Sequence, residues 1–254
     1  MTPNTQQIPA KERFKLVSAE RFLKELEAAN KELDKALIRK ALDFADDAHQ
    51  EQKRQSGEPY IMHPIGVALI LLDLQMDTHS ICAGLLHDVL EDTAISEDEM
   101  SKEFGETITQ LVRGVTKIGK IKFSSKAEEQ AENLRKMLLA MTDDVRVILI
   151  KLADRLHNML TLGALPPQKQ RRKAQETLDV YVPLAHRLGI YRIKTEMEDL
   201  CLRYIEPNVY FDLVRRVAQK RRSRQNFVDD LKEEIRELLR SHTIDALIKG
   251  RPKT

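Results

Sequence analysis

An all-helical bundle is the fold class this sequence predicts, on three observations. Leu, Ala, Glu, Lys and Arg are abundant, while Gly and Pro are sparse at nine each in 254 residues, which suits helices more than sheets. Aromatic residues make up only 5% and Trp is absent. Apolar residues keep a helical period in segment after segment. The length allows one or two domains with a sizeable core. A net charge of +2 gives no global argument for nucleic-acid or membrane binding. Cys82 and Cys201 lie in apolar periodic segments and read as reduced core residues of a cytosolic protein. The longest apolar run, Val67 to Leu72, is too short to span a bilayer, and the polar N-terminus lacks a signal-peptide core.

The elements follow in order. Residues 1 to about 17 read as a polar, frayed start. Ser18 caps a helix carrying Phe22, Leu23, Leu26, Leu33, Leu37 and Ile38, with a break near Asn30. A helix from Ala36 to about Gln50 puts Leu37, Ala41, Phe44, Ala45 and Ala48 on one face. Gly57 and Pro59 mark a loop over residues 53–60. His63 precedes Pro64 and is expected to be extended, with Pro64 in the first turn of the next helix, Ile65 to Leu74. Asp77 or Thr78 opens the helix holding residues 81 to 91, and Ser96 with Glu99 forms a capping box for a short helix ending near Gly105. Ile108, Leu111, Val112 and Val115 carry another helix. Lys117, Lys120 and Lys122 fall in a connector, and residues 126 to 141 form an amphipathic helix through Leu134, Met137, Leu138 and Met141. Residues 145–160 are apolar nearly all round and predict a central helix, although Val and Ile also permit a strand in the first half. Pro166-Pro167 ends it. A helix follows over Arg171 to Tyr181, then a short or kinked one over 182–189, an amphipathic one over 193–204, and one long helix over 208–240 after Pro207. Arg215, Arg216, Lys220, Arg221, Arg222 and Arg224 make its first half basic. A solvated face with internal ion pairs explains them, since no interleaved aromatic platform for RNA is present.

Two segments carry chemistry. In residues 82–92 an apolar run ends in His87, Asp88, Glu91 and Asp92. On a helix, His87 and Glu91 share a face, and Asp88 and Asp92 make a second pair about 100° round. Adjacent His and Asp can reach one divalent ion, and two acids one turn on can handle protons. The alternative is a helix end with solvated acids, which opposes the macrodipole. In the second segment, Asp154, His157, Asn158 and Thr161 share a face of an otherwise apolar element, as a pocket lining would. A buried Asp154 needs a partner, either a metal or a salt bridge to Lys151 or Arg155. His63 alone reads more readily as a structural contact than as a ligand, and His186 reads as structural.

Taken together, His63, His87-Asp88 and Asp154 resemble the order found in HD-domain metal phosphohydrolases. Ser56-Gly57-Glu58-Pro59-Tyr60-Ile61, His87 through Thr93, Lys151 through Met159 and Ala185-His186-Arg187-Leu188-Gly189 look like the hydrolase domain of the RelA/SpoT homologues, over roughly residues 36 to 254. That resemblance implies an all-helical HD-domain bundle binding one Mn²⁺. It implies hydrolysis of the 3′-pyrophosphate of ppGpp to GDP and of pppGpp to GTP, with pyrophosphate released. By position, His63, His87, Asp88 and Asp154 match the metal ligands, and Glu91 and Asp92 match the acid pair that activates water. Arg54, Ser56, Asn158 and Thr161 match nucleotide-binding groups. Gln55 stands where many members carry a basic residue, and Leu160 where many carry Arg. The expected organisation is an extension and first helix over 1–35, the hydrolase domain over 36–205 and a helical linker over 206–254. Gly250-Arg251-Pro252-Lys253 resembles the opening of the family's synthetase domain, so synthetase activity is not expected of these residues. Cytoplasmic placement and a small-molecule substrate are expected; neither membrane nor ribosome association is. An HD phosphohydrolase of another nucleotide and a non-catalytic helical module are the rival readings.

Overall fold

The computed structural model describes residue 14 and residues 18–29, 32–119 and 144–251. Among them the regular elements are all helical, with one isolated bridge between Lys53 and Pro59. The chain divides into two compact units, Met1–Ile205 and Glu206–Thr254.

Several helices of the first unit start where polar caps supply acceptors. Ser18 Oγ accepts the Arg21 N–H at α1 (Ala19–Ala28), and Asp34 accepts the Leu37 N–H at α2 (Lys35–Ala48). α3 (Met62–Asp73) buries all but its ends, so it forms the centre rather than a flank. α4 (Thr78–Leu86) is capped by Asp77 and packs against α2 and α3. The short α5 (Val89–Asp92) follows, then α6 (Glu97–Gly119), which kinks at Gly105. Ser96 and Glu99 form the reciprocal capping box at its start. α7 (Arg146–Leu160) packs against α3, α4 and α6. α8 (Pro167–Glu176) runs into a π-helical turn, Thr177–Tyr181, then α9 (Val182–Arg187) and α10 (Tyr191–Ile205).

Several expectations need correction. The segment holding residues 81 to 91 is not one helix: α4 ends at Leu86, and His87-Asp88 form a turn before α5. His63 is helical, the second residue of α3, because Pro64 then lies in the first turn, where a missing N–H costs nothing. Residues 146–150 keep the expected central helix and not the strand they also permitted, since α7 is enclosed on nearly every side and has no neighbouring strand to pair with among the described residues. The helix placed at Arg171 starts at Pro167, whose fixed φ suits a first position. Lys117 belongs to α6 rather than to a connector. Phe14, inside the stretch read as a polar start, is buried in the core. Lys120, Lys122 and the helix placed at 126–141 lie outside the described residues, as does most of 1–17. Both cysteines are buried and free.

The second unit is α11 (Pro207–Ser241), none of whose residues is buried. Its charges pair along the helix, Arg216 with Asp212 and Lys232 with Asp229, at the spacings one turn provides. No helix among the described residues is long and apolar enough to cross a membrane.

Candidate metal centre and adjoining pocket

Three segments converge on one point: the start of α3 with His63, the turn after α4 with His87 and Asp88, and the middle of α7 with Asp154. His87 Nδ1 lies 2.8 Å from the Gly84 carbonyl, so it must carry the proton and donate. Nε2 is then the nitrogen that can offer its lone pair to an ion. It is buried and has no hydrogen-bond partner among the described residues. It sits 3.1 Å from Asp88 Oδ2 and 4.0 Å from Asp154 Oδ1. His63 Nε2 is 3.3 Å from Asp154 Oδ1 and 3.7 Å from Asp88 Oδ2. The ligand atoms of His63, His87 and Asp88 all lie within 4.8 Å of one another. A buried imidazole lone pair facing carboxylate oxygens is a donor set that a divalent cation satisfies, and mixed nitrogen and oxygen donors suit a first-row transition ion.

The electrostatics are consistent with that set. Burial opposes charge on both carboxyls, yet His87 and His63 hold Asp88 ionised, and Lys151 with the two imidazoles does the same for Asp154. Burial also opposes charge on His87, but Asp88 and Asp154 outweigh it and lift its pKa to about 9, so with no ion bound Nε2 also holds a proton, which a cation would displace. Burial drives His63 below its ordinary value; Asp154 opposes this, and His87 and Arg54 add to it. Both oxygens of Asp154 are also held by other side chains. Lys151 Nζ is 2.8 Å from Asp154 Oδ2, and Asn158 Nδ2 donates to Oδ1 at 2.5 Å. Lys151 is thus the salt-bridge partner that the sequence offered, while Arg155 turns away to Glu176 and the Tyr181 hydroxyl.

Beside the ion-pair cluster lies a cavity of about 280 Å³, lined among others by Lys53, Arg54, Ser56, Asn158, Thr161 and Lys173. Its ionisable lining is cationic, which suits a phosphorylated ligand. The loop before α3 builds one wall. Tyr60 N–H bonds to the Gln52 carbonyl and Arg54 N–H to Glu58, folding the loop back on itself. Gly57 turns it with φ +87°, a conformation that a side chain would strain. The fold-back carries Arg54 across to α7, where it donates to Asn158 Oδ1 (2.7 Å) and Thr161 Oγ1 (2.9 Å). Arg54, Asn158 and Thr161, read separately from the sequence, therefore form one hydrogen-bonded set. Among the described residues Ser56 Oγ donates only to Glu58, at 3.4 Å.

Asp92 and Glu91 differ in placement. Asp92 Oδ2 is 2.9 Å from the Tyr60 hydroxyl, which is itself 2.7 Å from Asp88 Oδ2. Glu91 is exposed, and its side chain makes no hydrogen bond or ion pair among the described residues. The sequence reading missed the Tyr60 hydroxyl and Lys173. Tyr60 stands three residues before His63, one helical turn away, and that spacing is the signal that could have found it.

An HD domain is matched over residues 41–191. A probable guanosine-3′,5′-bis(diphosphate) 3′-pyrophosphohydrolase of Synechocystis sp. is 52% identical over 218 residues, covering 85% of this chain and 29% of that protein. A guanosine-3′,5′-bis(diphosphate) 3′-pyrophosphohydrolase of Haemophilus influenzae is 50% identical, covering 83% and 31%. A bifunctional (p)ppGpp synthase/hydrolase SpoT of Escherichia coli K12 is 49% identical, covering 85% and 31%. The chain thus spans just under a third of the length of these curated relatives.

Proposed function

The chain belongs to the HD-domain family, and from that premise we propose that it hydrolyses the 3′-pyrophosphate of ppGpp and pppGpp, releasing pyrophosphate and GDP or GTP, with one Mn²⁺ as cofactor. The observation that carries the reading is the convergence of His63, His87, Asp88 and Asp154 beside a cationic cavity. The names of the relatives supply the substrate class. In this reading residues 36–205 form the hydrolase domain, and the chain works on a soluble nucleotide in the cytoplasm.

His63, His87, Asp88 and Asp154 would hold the ion. When bound, the ion supplies Lewis acidity to water and offsets phosphate charge. Arg54, Asn158, Thr161 and Ser56 seat the nucleotide, with Lys53 and Lys173 adding positive charge to the same cavity. Water attacks the phosphorus attached to the ribose 3′-oxygen, and the bond between that phosphorus and the 3′-oxygen breaks. Pyrophosphate keeps the water oxygen, and the ribose leaves with a 3′-hydroxyl. Of the acid pair Glu91 and Asp92, one takes up the water proton, which then passes to the departing 3′-oxygen. The Tyr60 hydroxyl links Asp92 to Asp88 and holds the proton acceptor at the edge of the ion site. No covalent intermediate with the protein is required.

The test is incubation of the metal-stripped chain with ppGpp, with and without Mn²⁺, followed by chromatographic separation of products. GDP and pyrophosphate in equal amounts, formed only with the metal, is the expected result. Hydrolysis of other purine nucleotides but not of ppGpp would shift the assignment to another HD phosphohydrolase. No turnover of any nucleotide by metal-loaded protein would favour a non-catalytic module.

A further inference from the structure

His157 stands outside the four groups assigned to the ion, yet it touches one of them. Its Nδ1 lies 2.8 Å from Nδ1 of His63, and the rings are 2% and 1% exposed. Two ring nitrogens at that separation share one proton, so one ring donates and the other accepts. His63 turns its other nitrogen, Nε2, towards Asp154 and Asp88. A neutral histidine that offers Nε2 to a metal keeps its proton on Nδ1. His157 is then the acceptor through Nδ1 and carries its own proton on Nε2.

The second observation concerns Gly66, three residues after His63 and so on the same face of α3. A Cβ at Gly66 would lie 2.1 Å from both Cδ2 and Nε2 of His157, far inside contact distance. The missing side chain is what lets the imidazole enter from α7. Once there, the ring is wedged against the α3 backbone at one edge and hydrogen-bonded to His63 at the other.

We propose that His157 is a positioning residue: seated against Gly66, it fixes His63 in the tautomer and ring orientation that present Nε2 to a divalent cation. This rests on the metal reading above and adds a group beyond the ligand set. Histidine ligands commonly donate their second nitrogen to an outer partner, and losing that partner costs about 10- to 100-fold in metal affinity or activity. Here the outer partner is a second histidine, whose two nitrogens make its own tautomer part of the arrangement.

The experiment titrates Mn²⁺ alone into the metal-stripped wild-type chain and three variants by calorimetry, with thermal unfolding of each metal-free protein as a folding control. His157→Leu removes the acceptor and should weaken Mn²⁺ binding by about 10- to 100-fold. His157→Asn keeps an oxygen near the place of Nδ1 and should recover most of that loss. Gly66→Ala keeps both imidazoles but displaces the ring, and should weaken binding in the same direction as Leu. Nitrogen NMR of Zn²⁺-loaded wild-type chain should find His157 protonated on Nε2 and His63 on Nδ1. Wild-type affinity in His157→Leu, or equal weakening in the Leu and Asn variants, would overturn the inference, since a packing role does not distinguish them. If the Leu variant does not fold, a proton on Nδ1 of His157 in the wild-type spectrum overturns it instead. A wild-type chain that takes up no Mn²⁺ has a different signature and sinks the metal reading along with this one.

Discussion

The Tyr60 hydroxyl lies 2.7 Å from Asp88 Oδ2. It also lies 2.9 Å from Asp92 Oδ2, so one phenol stands between a group assigned to the ion and a group assigned to the proton. Burial, and then the two carboxylates, push the phenol pKa upward, so it stays protonated and donates. Tyr60→Phe keeps the ring, which stacks at 4.6 Å on His49, and deletes only the bridge. Turnover should fall by about 10- to 100-fold, the range for outer groups at metal sites. Steady-state rates with Mn²⁺ in excess measure it, and an unchanged rate would show that the bridge is incidental.

Glu91 and Asp92 should separate from the ion-holding groups in their metal content. Glu91→Gln and Asp92→Asn are each expected to retain near-stoichiometric Mn²⁺ and to turn over about 10²- to 10⁴-fold more slowly, the contribution of a positioned general base. His87→Ala should lose both metal and turnover, because it removes the buried lone pair at the centre of the cluster. Elemental analysis and rates on the three variants decide the roles. A metal-free Glu91→Gln makes Glu91 a ligand. Normal turnover in that variant gives the base role to Asp92, which the Tyr60 contact already brings closer to the cluster.

Arg54 is the group that ties the loop before α3 to α7, through Asn158 and Thr161. Arg54→Ala should raise KM for ppGpp by about tenfold or more, since a charge-assisted hydrogen bond contributes roughly 1.5–3 kcal/mol. Mn²⁺ affinity should change little, because Arg54 touches none of the four groups assigned to the ion. An unchanged KM would place nucleotide recognition elsewhere in the cavity.

The helices were legible where local chemistry sets them. Ser18, Asp77 and the Ser96–Glu99 pair act as caps because a cap needs only a side chain and the next turn. The breaks were less legible. The turn at His87-Asp88 falls where polar residues enter at a spacing a helix also allows, and no Gly or Pro announces it at that point. The helical His63 went against a local rule because the first turn of α3 tolerates Pro64. Of the site, the residues that meet across α3, α4 and α7 were named, but their pairing was not. That Lys151 takes Asp154 while Arg155 takes Glu176 and Tyr181 depends on how α7 is rotated, which two adjacent cations cannot reveal. The partnership of His157 with His63 joins residues 94 apart in the chain, and only packing against Gly66 specifies it.

The last prediction concerns the scaffold that delivers His87. Asp77 caps α4: Oδ1 accepts the Ser80 N–H and Oδ2 the Ser80 hydroxyl, both at 3.0 Å, and Arg146 at the start of α7 approaches to 3.4 Å. Burial raises its pKa, but the Ser80 bonds and Arg146 outweigh it and hold the carboxyl below its ordinary value of 3.8. Asp77→Ala should cost about 0.5–2 kcal/mol at pH 7, the range for a lost cap. Asp77→Asn keeps an acceptor for the backbone and loses only the charge, so it should fall between Ala and wild type. The sign of the pH effect follows from linkage. A carboxyl whose pKa is depressed on folding contributes stability that is present above pH 3.8 and lost as pH falls through the folded value beneath it. The gap between wild type and Asn should therefore be constant from pH 7 down to about 5 and close towards pH 2, while other acids affect both proteins alike. Urea unfolding of the three proteins across that range measures it. A gap that persists at the acid end would mean that Asp77 acts through shape alone and that Arg146 contributes nothing to it.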